Sequence, residues 1–336
     1  MNNKERIIWI DLIKVIACIM VVILHSISIG LKQNVYCSGL WIYYLGTFAI
    51  PLFFMVNGYL VVGNKKYSYK DKKMYKKILK IFLIVVSWSF LWYVVKKILS
   101  KNLDNIFIET IGSLFQKGLF PHFWFLGSLI IIDLLIPIIN KIYYSDKFKI
   151  IVKSGIVLNV VLDISFILLY NNFNFIMKEN IIQTFRLWAW ILFYLLGAYV
   201  KKYYDVFNKI DNTKLYGCTL ICIILSIIYE VMFSFKLYGN LYAENFYSSF
   251  IIILTTFLIF ISVSKMNIKS ELVSKLSNLS MGVYIIHPFI LNILNKFLVF
   301  NNNYLLTIIM ILALICSFTF SYVISKIPML KELIKI

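Results

Sequence analysis

Residues 11–25 read DLIKVIACIMVVILH, and this stretch decides what kind of fold the chain adopts. Ten consecutive apolar residues, Val15 to Leu24, lie between two ionisable ones, Lys14 and His25, with Asp11 one turn before the lysine. The apolar run around them extends from Ile7 to Ile29, long enough to cross the roughly 30 Å hydrocarbon core of a bilayer. Charge in such a helix costs a few kcal/mol per residue, and such groups face a bundle interior or a wet cavity. Lys14 and His25 are eleven residues apart, about three turns, so they share one face roughly 16 Å apart. Asp11, at i−3, can pair with Lys14. Taken singly, each has a structural reading, a snorkelling lysine and a packed histidine. Their common face favours a site.

The same apolar signal recurs almost end to end. Of 336 residues 61% are hydrophobic and 15% charged, well beyond the roughly half-apolar composition of soluble domains. Apolar runs near 8–29, 41–62, 78–98, 123–143, 149–170, 183–201, 216–234, 247–264, 281–300 and 304–325 predict about ten transmembrane helices. The expected fold is therefore an all-α, polytopic integral membrane helical bundle, a single membrane domain over 1–336. Segment 104–118 is shorter and amphipathic, as an interfacial helix would be. The first apolar run is too long for a signal peptide and lacks a cleavage site, so it reads as a retained span.

The net charge of +19 is distributed over short loops, which points to membrane orientation and anionic lipid and not to nucleic acid. With the N-terminus inside, the loops carrying Lys4, Arg6, the run 65–80 and the flanks at 141–153, 201–214, 265–275 and 326–335 hold 24 of the 34 basic residues. The opposite loops hold 8, and only Lys14 and Arg186 lie within spans. Both termini are thus expected to be cytoplasmic, in a multi-pass cell-membrane protein. The five cysteines, Cys18, Cys37, Cys218, Cys222 and Cys316, are scattered singly without a CxxC, as small core residues would be.

The chain has three histidines, His25, His122 and His287, and all lie at or within spans. Histidine is the usual proton-transfer group near neutrality. No helix carries two of them at i, i+4, so no metal is expected. His122 follows Pro121 and precedes Trp124 in PHFWFLGSLIIIDLLIPII (121–139), which carries Asp133 deeper in the span. His287 precedes Pro288 in SMGVYIIHPFIL (280–291); the proline removes a helical hydrogen bond there. Asn57-Gly58 in AIPLFFMVNGYLV (49–61) suits close helix packing. Arg186, in QTFRLWAW, either binds an anion or pairs with Asp163 or Glu230.

The segments IDLIKVIACIMVVILHS, PLFFMVNGYL, HFWFLGSLIIIDLLIPII and LSMGVYIIHPFIL, in this order, resemble the acyltransferase-3 family of integral membrane acyltransferases. The resemblance covers essentially the whole chain. It implies an O-acyltransferase, most often an O-acetyltransferase, moving an acyl group from cytoplasmic acetyl-CoA or another acyl-CoA to a sugar hydroxyl. The acceptor it implies is a cell-surface polysaccharide or lipid-linked sugar. The family's first-span signature, a basic residue, ten residues and a histidine, falls on Lys14 and His25, and His25 is implied to be the residue most needed for transfer. The basic position is usually Arg; Lys14 keeps a counter-ion role as a point charge. Asp11 is expected to hold Lys14, while His122, Trp124, Arg186, Tyr284 and His287 are expected to bind substrate. Many relatives add an extracytoplasmic hydrolase-like domain. This sequence ends at Ile336, so the acyl group is expected to pass directly to acceptor or to a separate extracytoplasmic partner. The richness in Lys, Asn and Ile suggests an AT-rich bacterial genome. A transporter or flippase for a glycolipid or small metabolite is the competing class, since polar residues in several spans also fit a substrate path.

Overall fold

The computed structural model describes residues 6–32, 40–64, 66–67, 72–98, 105–173, 180–238, 241–297 and 303–335. Lys4, Cys37 and part of the basic run 65–80 lie outside the described residues. Among the described residues there is helix and turn but no strand. Eight helical stretches are long and apolar enough to cross a membrane: Ile8–Leu31, Trp41–Val61, Lys72–Ile98, Pro121–Tyr144, Phe148–Tyr170, Asn212–Lys236, Glu271–Phe297 and Tyr304–Lys326. The protein is a polytopic helical membrane bundle, as the hydropathy pattern predicts.

The individual helices are α1 (Ile8–Lys32), α2 (Leu40–Leu45), α3 (Ala49–Val61), α4 (Lys72–Ile98), α5 (Ile106–Leu114), α6 (Trp124–Tyr144) and α7 (Phe148–Phe173). They continue with α8 (Leu187–Lys202), α9 (Tyr204–Asn208), α10 (Asn212–Phe233), α11 (Phe250–Ser264), α12 (Glu271–Phe297), α13 (Asn303–Lys326) and α14 (Pro328–Lys331). Bare apolar faces explain how the outer helices meet lipid. Leu83, Phe90 and Leu91 on α4, Val157 and Val161 on α7, and Leu220 and Ile224 on α10 are all exposed. In hydrocarbon such side chains are in their preferred solvent.

Two of the ten expected spans are shorter than their apolar runs. Helix α8 has 16 residues and α11 has 15, about 24 and 22 Å of rise. Each is preceded by a 3-10 turn, Gln183–Phe185 and Ala243–Asn245. Irregular backbone survives at membrane depth only where protein satisfies its polar groups. Here Gln116 accepts from the Gln183 N–H, Thr184 donates to the Leu114 carbonyl, and Ser128 donates to the Thr184 carbonyl. At the second turn the Tyr43 hydroxyl accepts from the Ala243 N–H at 3.1 Å.

The chain divides into two compact units, one formed by 1–56 and 200–335 and the other by 57–199. In the first, α1 is the central post, packed on α2, the 3-10 turn Gly46–Phe48, α11, α12 and α13. Gly46 permits the turn to meet α1, because a Cβ there would lie 2.6 Å from the Leu24 Cβ. In the second unit α6 packs on α4, α5, α7 and the Gln183–Phe185 turn. Helix α5, with nine residues, is too short to span; Phe107, Ile108 and Ile111 are exposed while Thr110 and Ser113 are buried. Its amphipathic form matches the interfacial helix read from the sequence. Gly58 at the end of α3 meets α8 backbone to backbone: a Cβ would stand 1.8 Å from the Tyr194 carbonyl oxygen.

Candidate active site

Within the first unit, α1 and α12 run side by side, and their facing residues form two polar layers. The lower layer centres on Asp11, which is buried and accepts from Ser277 Oγ at 2.7 Å and from Arg6 Nε. Arg6 also donates to the Ser274 carbonyl at 2.7 Å and to Asn278 at 3.0 Å, which ties the start of α1 to α12. Lys14 Nζ stands 4.0 Å from Asp11, the outer limit of an ion pair. The sequence expectation that Asp11 pairs with Lys14 is met only at that limit. Most of Asp11's hydrogen-bonding capacity goes to Arg6 and to α12, so the lysine's ammonium keeps donors for another anion.

The upper layer is built from His25 and His287. Their ring centroids lie 5.2 Å apart at an interplanar angle of 36°. Tyr284 stands one turn below, its ring 6.3 Å from that of His287. His287 is fully buried, and its Nδ1 faces the Val283 carbonyl at 3.1 Å. A carbonyl can only accept, so Nδ1 carries the proton and, in the neutral ring, Nε2 carries the lone pair. Pro288 has no N–H, so the Tyr284 carbonyl loses its usual intrahelical partner beside the pair. Between the layers Cys18 Sγ lies 3.6 Å from the Ser280 carbonyl. The structure therefore brings five of the site residues expected from the sequence, Asp11, Lys14, His25, Tyr284 and His287, onto one α1–α12 seam.

The other three fall in the second unit. His122, in the 3-10 turn Pro121–Phe123, packs against the rings of Phe120 and Phe123 at 5.7 and 4.8 Å. Trp124 is buried against Trp190, ring centroids 5.2 Å apart, and Trp190 donates to the Gln183 carbonyl at 2.7 Å. Arg186 is buried and its Nε donates to the Ile181 carbonyl at 3.0 Å. These side chains gather where the start of α6 meets the Gln183–Phe185 turn.

A second polar constellation in this unit has one member the sequence reading took only as part of the cytoplasmic basic run 65–80. Lys77 on α4 lies 2.9 and 3.0 Å from the two carboxylate oxygens of Asp133, which is fully buried, and 3.5 Å from Asn57 Oδ1. Asp133 was legible as an oddity in an apolar span; its partner was hidden in a lysine run 56 residues away. Asn140 fixes the adjoining loop by accepting from the Gly63 N–H at 2.8 Å and donating to the Tyr67 carbonyl at 3.0 Å. Burial first, and then the Asp133 charge, raise the Tyr67 phenol above its ordinary pKa, so Tyr67 stays a neutral hydroxyl. Lys73 covers its ring at 4.9 Å, a cation–π contact. Among the described residues no group of three or more His, Cys, Asp or Glu side chains could hold a metal ion.

An imidazole pair inside the bundle, with a lysine about three turns along the same face of α1, defines a class: integral membrane proteins with titratable side chains gathered among their helices. The family model described as an acyltransferase domain, Acyl_transf_3, matches residues 7–326. The chain belongs to the acyltransferase-3 family. No curated protein and no solved structure matches it.

Proposed function

We propose that this membrane acyltransferase takes its acyl group, most simply acetyl, from acyl-CoA on the cytoplasmic side. It passes the group to a hydroxyl of a surface polysaccharide or lipid-linked sugar. The contact between His25 and His287 in the core of the first unit carries this reading. A histidine beside a second imidazole is suited to accept a proton from an alcohol and return it to a leaving group. His25 is partly accessible whereas His287 is fully buried, so His25 is the ring that meets substrate and His287 is the ring behind it.

In the proposed reaction His25 removes the acceptor's hydroxyl proton while the alkoxide oxygen attacks the thioester carbonyl. The C–O bond forms, the C–S bond breaks, and the departing thiolate takes the proton from His25. The products are an ester and free CoA. Lys14, roughly 16 Å down the same face, attracts the donor's phosphates. Lys72, Lys73 and Lys76, exposed at the start of α4, add to the cytoplasmic positive field. With both termini inside, as the loop charges indicate, His25 stands toward the outer surface, where a glycan acceptor would be met.

The test is to incubate membranes containing the protein with radiolabelled acetyl-CoA and de-O-acylated surface glycan. Base-labile label in the glycan is expected. A transporter or flippase would leave the label in the donor and its hydrolysis products.

A further inference from the structure

Glu230 has no part in the reaction as described, and its setting is unusual. It lies on α10 one turn before the helix ends and is fully buried, and among the described residues its carboxyl meets the Thr47 hydroxyl without a well-formed hydrogen bond. No Lys, Arg or His forms an ion pair with it there. An uncompensated carboxyl in a protein core costs on the order of several kcal/mol. Such a group calls for a physical explanation, and a ligand that completes its hydrogen bonding is one.

The groups around it indicate what that ligand is. The Thr47 hydroxyl faces the carboxyl, is itself fully buried, and makes no well-formed hydrogen bond among the described residues. Tyr44 and Ser234 share a hydroxyl–hydroxyl bond of 2.6 Å at the same helix end, and both Tyr43 and Tyr44 lie within electrostatic reach of Glu230. The set offers a carboxyl group, hydroxyls that donate or accept, and aromatic rings, with no ion-pairing cation among the described residues. It suits neither a phosphate, which needs positive charge, nor an acyl chain, which needs none of these groups. A polyol fits, because neighbouring hydroxyls can both donate to and accept from one carboxyl group.

The place is also apt. Helices α1 and α10 both run outward in the assigned topology, with His25 and Glu230 in their outer halves. The turn carrying Thr47 packs on α1 through Gly46, whose position meets Leu24, the residue before His25. Resting on the proposed acyl-transfer reading, we infer that Glu230 and Thr47 form a hydroxyl-binding subsite that holds the acceptor's sugar ring for transfer by His25.

Two neutral replacements, Glu230→Gln and Thr47→Val, test this in the label-transfer assay, with acetyl-CoA and de-O-acylated glycan varied separately. The expected result is a rise of about tenfold or more in the half-saturating glycan concentration for Glu230→Gln, and a smaller rise for Thr47→Val, with acetyl-CoA saturation unchanged. Glycan saturation within twofold of wild type in both variants would overturn the subsite, as would a parallel shift in acetyl-CoA saturation. Should Glu230→Gln fail to accumulate in membranes, Thr47→Val decides by the same two constants. A wild-type protein that moves no label overturns the transfer reading itself, whereas wild-type transfer with unaffected variants overturns only the subsite.

Discussion

Single residues carry most of the chemistry, and Lys14 is the clearest instance. Its 4.0 Å separation from Asp11 is too long for a hydrogen bond, and Asp11 is already engaged by Arg6 and Ser277. The lysine is thus held near a carboxylate without being consumed by it. Lys14→Ala should weaken acetyl-CoA saturation by about tenfold or more, equivalent to about 1.4 kcal/mol. Lys14→Arg should restore most of it, because the role proposed is that of a charge. Failure of arginine to rescue would assign the site to the ammonium's shape instead. Asp11 was legible as an ionisable residue near the start of a span, but its true partners were not. Ser274, Ser277 and Ser280 repeat at three-residue spacing on α12, a small polar stripe that could have marked the surface facing α1.

At the scale of elements, close backbone approach and one buried ion pair organise the second unit. Gly58→Ala would place a methyl group against the Tyr194 carbonyl, a backbone atom that cannot rotate away. The expected cost is about 1–3 kcal/mol, read as a lower thermal midpoint in detergent. An unchanged midpoint would mean that α3 and α8 do not meet this closely. The Lys77–Asp133 pair makes a different prediction. Removing one partner, as in Lys77→Ala, leaves a buried carboxylate alone and should destabilise by about 3–5 kcal/mol. Replacing both by apolar residues of similar volume should recover much of that loss, which the same thermal measurement would show. Two of the prolines within spans, Pro137 and Pro288, sit four residues after a polar side chain of interest. Pro137 frees the Asp133 carbonyl and Pro288 frees that of Tyr284 from the helical ladder. Helix existence was readable from apolar run length. The shortness of α8 and α11 was not, because Gln183, Thr184 and Ala243 are satisfied by partners distant in sequence.

For the whole molecule, a helical membrane bundle and the α1 face follow from hydropathy, charge placement and helical periodicity, all local properties of the chain. The juxtaposition of His25 with His287 does not, since 262 residues separate them and only tertiary packing sets the rings 5.2 Å apart. Nor does the division into two compact units, the first of which packs helices from the N-terminal and C-terminal parts of the sequence around α1. The stretch DLIKVIACIMVVILH therefore reads as one edge of a seam whose other edge is α12. The most direct test of that seam's role compares wild type with His25→Ala, both verified as inserted at equal levels, for transfer of label from acetyl-CoA to de-O-acylated glycan. A loss of about 10²–10⁴-fold is expected, the contribution of a positioned acid–base group. Transfer at the wild-type rate by the inserted His25→Ala protein would contradict it.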